Sequence, residues 1–324
     1  MKVLVLGGAG YIGSHTVYEL IDKGHEVVVF DNLSTGHDKA IHDNAKFYQG
    51  DIRNKNDLDN VFQTEKIDAV IHFAANSLVG ESMTFPLKYY DNNLCGTKVL
   101  LESMVDNKID KIVFSSTAAV YGAPKHIPIL ETDDTVPLNT YGETKLSMEK
   151  MFKWVGNAHN IRYVSLRYFN ACGAHISGDI GEAHNPETHL LPNVLKALIN
   201  DDVINVFGDD YNTEDGTCVR DYIHVTDLAN AHVLALEYLE KGNESNIFNL
   251  GNGVGFSVRQ IISAAEKVTE KQAKINITAR RAGDPDILVA SSDKAKNILN
   301  WKPEYADIEK IIETAYVWHK NMKF

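Results

Sequence analysis

The chain has 324 residues, 44 % of them hydrophobic and 23 % charged, the make-up of a globular protein with room for a large core and about two domain-sized units. Its net charge of −12 argues against a nucleic-acid binder, which needs basic surface to neutralise phosphates, yet leaves room for a phosphate-bearing small ligand gripped by a few arginines. Three scattered cysteines, Cys95, Cys172 and Cys218, suit neither a disulfide framework nor a cysteine-bound zinc site, so no metal and a reducing cytoplasm are expected. The opening Met1-Lys2-Val3-Leu4-Val5-Leu6 lacks the pattern of a signal peptide. No apolar run approaches the ~20 residues of a membrane helix, so no membrane partner is expected.

Lys2–Leu6 reads as a short strand, apolar throughout, as strands covered on both faces are. It runs into Gly7-Gly8-Ala9-Gly10-Tyr11-Ile12-Gly13 and a helical pattern over Ile12–Lys23. In that context one glycine permits the tight turn, one lets backbone approach a pyrophosphate, and one lets helix and sheet pack closely. The helix N-terminus then offers free N–H groups to the phosphates. A second strand, Glu26–Phe30, ends at Asp31, placed to accept hydrogen bonds from an adenosine ribose. Asn32 and Leu33 follow, with no Arg or Lys for a 2′-phosphate, so NAD is expected rather than NADP. A third strand, Lys46–Gln49, leads to Asp51-Ile52; alone, an Asp there is more often a loop or helix-cap residue than a ligand.

Further strands are expected at Ala69–Phe73, Lys111–Ser115 and Arg162–Arg167, with helices at Asn56–Glu65, Leu87–Asn107 and Tyr141–His159. Strand and helix in alternation predict an α/β fold, a doubly wound parallel sheet of Rossmann type. Residues 171–219 read as irregular and rich in Gly, Asn and Asp. A helix at Thr226–Lys241 and a strand at Asn246–Leu250 resume the alternation. A helix at Ser257–Thr269, a strand at Lys274–Ala279 and a helix at Ile308–Met322 complete the chain. The expected division is a cofactor domain of 1–170, to which 221–250 return. A smaller mixed α/β substrate domain is expected from 171–220 and 251–324.

The chemical signal is Tyr141-Gly142-Glu143-Thr144-Lys145. Positions i and i+4 share a helix face, which sets a phenol beside an ammonium. Free tyrosine titrates near pH 10, and a fall of ~3 units needs about 4 kcal/mol of preference for the phenolate. A lysine and an oxidised nicotinamide, both positive, are suited to supply it. Thr117 follows a strand at the edge where ligands bind, and its hydroxyl is placed to bridge Tyr141 and a substrate hydroxyl. Taken singly, each has an ordinary reading as a surface helix or a turn-forming threonine.

Gly7–Gly13, Ser115-Ser-Thr-Ala-Ala-Val-Tyr-Gly122, Tyr141 with Lys145, Arg167-Tyr-Phe-Asn170, Arg220-Asp-Tyr-Ile-His224 and Arg281-Ala-Gly-Asp284 together resemble the extended short-chain dehydrogenases. Within them the sequence is similar, over the whole chain, to the epimerases that invert C4 of a UDP-linked hexose. The resemblance implies interconversion of UDP-galactose and UDP-glucose through a 4-keto sugar, with NAD held tightly. It implies Tyr141 as base, Thr117 on its proton path and Lys145 tuning it. Gly7, Gly10, Tyr11, Ile12, Gly13, Asp31, Asn32, Leu33, Ser34, Thr35, Gly36, Asp51, Ile52, Phe73, Ala74, Ala75, Asn92, Thr117, Tyr141, Lys145 and Phe169 would line the NAD site. Asn170, His189, Leu190, Val206, Phe207, Arg220, Arg281 and Asp284 would contact the UDP-sugar, the arginines through paired hydrogen bonds to diphosphate.

Three positions depart from the commonest family pattern: Thr117 stands for Ser, Ser77 for Lys, and His189 for Asn, the last introducing a group whose charge depends on pH. Related dehydratases carry an Asp-Glu pair where this chain has Ala118 and Ala119, which neither donate nor abstract a proton. After C4 oxidation that leaves hydride return as the productive route. Two alternatives stand: an enzyme for a UDP-N-acetylhexosamine or UDP-uronate, with Leu288 near the hexose, or a non-catalytic NAD-sensing protein. A homodimer through the Leu87–Asn107 and Tyr141–His159 helices is a further implication of the family.

Overall fold

The computed structural model describes residues 1–281 and 285–324. Its centre is a seven-stranded sheet of β1 (Lys2–Leu6), β2 (Glu26–Asp31), β3 (Lys46–Gln49), β4 (Ala69–His72), β5 (Lys111–Ser115), β6 (Arg162–Tyr168) and a late strand, Asn246–Leu250. Their order across the sheet runs from the late strand through β6, β5, β4, β1 and β2 to β3. Every adjacent pair is parallel, with Val3 opposite Val27 on one side and Ala69 on the other. This is the doubly wound α/β sheet expected from the alternation.

The two faces of β1 show why its sequence is apolar throughout. Val3 and Val5 point into one core with Val17 and Leu20 of helix α1 (Tyr11–Asp22). Leu4 and Leu6 point into the other, with Leu58 and Val61 of α2 (Lys55–Thr64). A period-two side chain buried on both sides leaves no polar position to alternate with. Because β1 connects outward to β2 while β4 lies on its other flank, a crevice opens at their C-terminal ends, where ligands bind in such sheets.

The expected helix at Leu87–Asn107 differs. After a short helix α3 (Val79–Thr84), the chain forms α4 (Pro86–Tyr89), a π-helical segment (Tyr90–Cys95) and α5 (Gly96–Asp106). Buried Asn93 sits in the π segment, accepting from the Asn76 N–H (2.8 Å) and donating to Thr144 Oγ1 (3.0 Å) of the neighbouring α6 (Thr140–His159). The π-turn thus coincides with a buried polar bond that a regular apolar face would not make; such bulges recur at functional sites.

Residues 171–219, expected to be irregular, carry three ordered elements after β7 (Asn170–Cys172): α7 (Leu190–Asn200), β8 (Val203–Phe207) and the start of β9 (Val219–His224). The α7 sequence has its apolar Leu191, Val194, Leu195 and Leu198 on one buried face, a helical period hidden among polar flanks. The remainder comprises α8 (Val225–Glu240), β10 (the late strand Asn246–Leu250), β11 (Gly255–Ser257), α9 (Val258–Thr269), β12 (Lys274–Thr278), β13 (Ile287–Leu288), α10 (Asp293–Ile298) and α11 (Ile308–Lys320). β9 pairs with β7, β11 and β13, and β8 pairs with β12. Apolar faces of α7, α9 and α11 form a separate core around Ile262 and Ile312.

Candidate active site

One cavity of about 1580 Å³ runs from the glycine turn to the β8–β9 region. That exceeds the 300–1,000 Å³ of a typical small-molecule pocket and fits two joined ligands. At one end Gly7 has φ +77°, and a Cβ there would lie 2.7 Å from the Ala74 nitrogen; at Gly13 it would lie 2.1 Å from the Gly7 carbonyl. No side chain fits either place, so the backbone itself forms the wall. Gly10 caps α1 without a side-chain hydrogen bond, leaving first-turn N–H groups for an anion.

Buried Asp31 ends β2, its two oxygens accepting from the Ala9 N–H at 3.0 Å and the Leu33 N–H at 2.8 Å. Burial raises its pKa from the usual carboxylate value, and the Leu33 and Ala9 N–H bonds restrain that rise. Each oxygen retains lone-pair capacity for a ribose hydroxyl. A glycine wall, an uncapped helix start and an acidic strand end are what a dinucleotide requires, and the residues present fit NAD.

Of the residues expected around NAD, Gly7, Gly10, Tyr11, Ile12, Gly13, Asp31, Asn32, Ser34, Thr35, Gly36, Ile52, Phe73, Ala74, Ala75, Asn92, Thr117, Tyr141, Lys145 and Phe169 all line the cavity. Leu33 and Asp51 stand off its wall. Asp51 is engaged by Arg53 (Nη2, 2.7 Å) and Asn32 (3.2 Å), and the Arg53 hydrogen bond leads the causes that lower its pKa to about 2. At the other end Asn170, His189, Leu190, Val206, Phe207, Arg220 and Arg281 line the same space. The Arg281 guanidinium lies over the Phe207 ring at 4.1 Å. Asp284 lies outside the described residues.

Between the two ends stand the reactive groups. Asn139 caps α6 by accepting from the Gly142 N–H at 2.8 Å, which fixes Tyr141 in the first turn and Lys145 one turn on. Lys145 Nζ donates to the Ser115 carbonyl (2.8 Å), lies over the Phe114 face (4.9 Å) and is 5.9 Å from the Tyr141 ring centroid. Burial lowers the lysine's pKa to about 7, against the pull of Glu149. Burial pushes the Tyr141 phenol up to about 12, while a hydrogen bond with Thr117 lowers it. Burial alone therefore works against ionisation of the phenol. Thr117 also accepts from the Ala119 N–H at 3.1 Å, and Ala118 and Ala119 face the cavity beside it.

Behind these groups lies a buried network that single motifs do not reveal. Glu149 of α6 pairs with Arg167 of β6 at 2.6 Å, both side chains 4 % exposed. Ser116 donates to Glu149 (2.5 Å), Arg167 to the Tyr121 hydroxyl (2.9 Å), and Tyr121 to Asn249 (2.7 Å). It binds α6 to the turn bearing Thr117, so the spacing of Tyr141 and Thr117 is set from beneath. Gly142 contributes too, since a Cβ there would meet the Ala119 carbonyl at 2.6 Å. Sequence reading also missed Glu182, His184 and Glu187, which join His189 on the cavity wall.

Comparison with known proteins agrees with this geometry. Residues 3–251 match the NAD dependent epimerase/dehydratase family. UDP-glucose 4-epimerase of Lacticaseibacillus casei is 56 % identical over 322 residues, covering 99 % of this chain and 97 % of that protein. The crystal structure of UDP-glucose 4-epimerase from Brucella ovis in complex with NAD superposes with a TM-score of 0.94 at 47 % identity, covering 97 % of each chain. That of UDP-glucose 4-epimerase from Bifidobacterium longum in complex with NAD+ and UDP gives 0.93 at 40 % identity, covering 99 % of each. A sheet with a dinucleotide crevice, a Tyr–Lys pair above it and relatives matched end to end lead to one conclusion: the chain belongs to the NAD dependent epimerase/dehydratase family.

Proposed function

We propose that this protein interconverts UDP-galactose and UDP-glucose by reversible oxidation at C4, with NAD as a tightly held cofactor. The observation that carries the reading is the placement of Tyr141, Thr117 and Lys145 midway along one cavity. The glycine turn lies at one end and Arg220 and Arg281 at the other. The full-length likeness to UDP-glucose 4-epimerases supports it.

When bound, NAD supplies a hydride acceptor and donor. The chain supplies the rest. Tyr141 takes the C4 hydroxyl proton through Thr117 or directly, and gives it back when the ketone is reduced. Lys145 stabilises the phenolate and reaches toward ribose hydroxyls. Arg220 and Arg281 grip the diphosphate, so the hexose is free to turn and offer its other face. Ala118 and Ala119 provide no acid or base to divert the ketone into elimination. On this reading the cofactor unit is 1–170 with 221–250, and the substrate unit is 171–220 with 251–324.

A homodimer through α4–α5 and α6 is part of the proposal. Met83, Leu87 and Trp154 in this region are 61 %, 79 % and 69 % exposed, large apolar groups of the kind a partner covers. A cytoplasmic setting is proposed from Cys95, Cys172 and Cys218, which form no disulfide among the described residues; among the described residues no helix is long and apolar enough to cross a membrane. The test is product analysis of purified protein with UDP-galactose and saturating NAD. UDP-glucose is expected, and its absence refutes the assignment.

A further inference from the structure

Glu182, His184, Glu187 and His189 come from one short loop ahead of α7, and one ligand atom of each lies within 4.8 Å of all the others. Glu182 Oε1 is 3.0 Å from His184 Nδ1 and 2.8 Å from His189 Nδ1, and Glu187 Oε1 is 3.0 Å from His189 Nδ1. Hydrogen bonding alone accounts poorly for this arrangement. His189 Nδ1 bears at most one hydrogen yet faces two carboxylate oxygens. Glu187 Oε2 is buried without a hydrogen-bond partner, with His184 Nδ1 3.9 Å away, on a side chain only 5 % exposed. A buried carboxylate oxygen so left is costly unless something positive meets it.

Four nitrogen and oxygen atoms converging on one point are the geometry of a cation cage. In a tetrahedral zinc site, bonds of about 2.0–2.2 Å put neighbouring ligand atoms about 3.4 Å apart, which lies between the 2.8 Å and 4.8 Å separations here. The cage is held from outside. Glu187 Oε1 accepts from the Thr188 and His189 N–H groups at 2.8 and 2.9 Å. The Glu182 carbonyl accepts from Trp318 Nε1 at 2.9 Å, and Gly181 lies against the Trp318 ring, where a Cβ would come within 2.4 Å. Such outer contacts orient first ligands.

We propose that Glu182, His184, Glu187 and His189 form a binding site for one divalent transition-metal ion, zinc by preference. Mixed imidazole and carboxylate ligands suit zinc over magnesium or calcium, and four protein ligands close the tetrahedron, which makes the site structural rather than catalytic. The ion pins the loop that leads into α7 and forms one wall of the cavity; no step at C4 uses it. It takes only Nδ1 of His189, so the ring's other nitrogen is left for the UDP-sugar contact expected of that residue.

The test begins with full-length protein stripped by EDTA and titrated with zinc chloride, its bound metal counted by mass spectrometry after gel filtration. One zinc per chain is expected. Glu187→Gln and His184→Gln, each checked for an unchanged far-UV spectrum, should weaken zinc binding at least about tenfold. Wild-type protein that retains no zinc overturns the proposal. So does full zinc retention by both variants, or displacement of the zinc by millimolar magnesium.

Discussion

Removing the lysine charge tests how the phenol is ionised. Tyr141 is pushed up to about 12 by burial, so activity as a base near pH 7 requires roughly 5 units, or about 7 kcal/mol, of added preference for the phenolate. A unit charge about 6 Å away at an effective dielectric near 20 contributes roughly 2.8 kcal/mol, or about 2 units. Lys145, 5.9 Å from the ring centroid, is that charge when protonated. Its own pKa of about 7 means the two groups titrate as a coupled pair, each ionisation favouring the other. The balance, about 3 units, falls to the positive nicotinamide ring when NAD is bound. Lys145→Met should therefore move the acid limb of the kcat/KM profile upward by about 2 pH units. Activity falls about 100-fold at pH 7 and recovers as the pH is raised, at saturating NAD. A loss that is equal at every pH would show that the lysine only binds, and an unshifted profile with full activity would refute the electrostatic argument.

Gly13→Ala places a Cβ 2.1 Å from the Gly7 carbonyl; purified protein should lose bound NAD, read by absorbance after denaturation, while circular dichroism stays near wild type. Glu149→Gln leaves Arg167 buried with one acceptor fewer, and should lower stability by about 3 kcal/mol in urea unfolding, as broken buried pairs do. Stability should also fall on acidification. Burial holds His15, His72 and His224 to pKa values of about 3, and His232 to about 4, below the unfolded value near 6.5. Unfolding then takes up protons, so their contribution is whole above pH ~6.5 and is lost as the pH falls toward the folded values. The urea midpoint at pH 5 should lie below that at pH 7, and an equal or higher midpoint would contradict the assignment of these rings as buried and neutral.

What the sequence made legible was local. The glycine turn, Asp31 and the Tyr141–Lys145 pair each lie within a few residues of chain, and short buried strands such as β1 declare themselves by being apolar throughout. The π segment at Tyr90–Cys95 was not legible, because its buried partner bonds reach Asn76 and Thr144. Nor was the link from Glu149 through Arg167 and Tyr121 to Asn249, which joins four separate segments. The rise of the Tyr141 pKa is a property of burial, which no pairwise spacing reports. In contrast, the pairing of Asp51 with Arg53, two residues on, was open to sequence reading. So was the Glu182, His184, Glu187, His189 run, which lies within one short stretch of chain.

Isotope retention at C4 examines the central claim, that one hydrogen leaves that carbon as hydride and returns to it while Tyr141 handles only the hydroxyl proton. UDP-galactose deuterated at C4 is converted by NAD-loaded protein in ordinary water, and the UDP-glucose product is read by NMR. Deuterium held at C4, with kcat lowered at least about 100-fold in Tyr141→Phe, is the predicted result. Deuterium lost to solvent, or a Tyr141→Phe protein as fast as wild type, would contradict it.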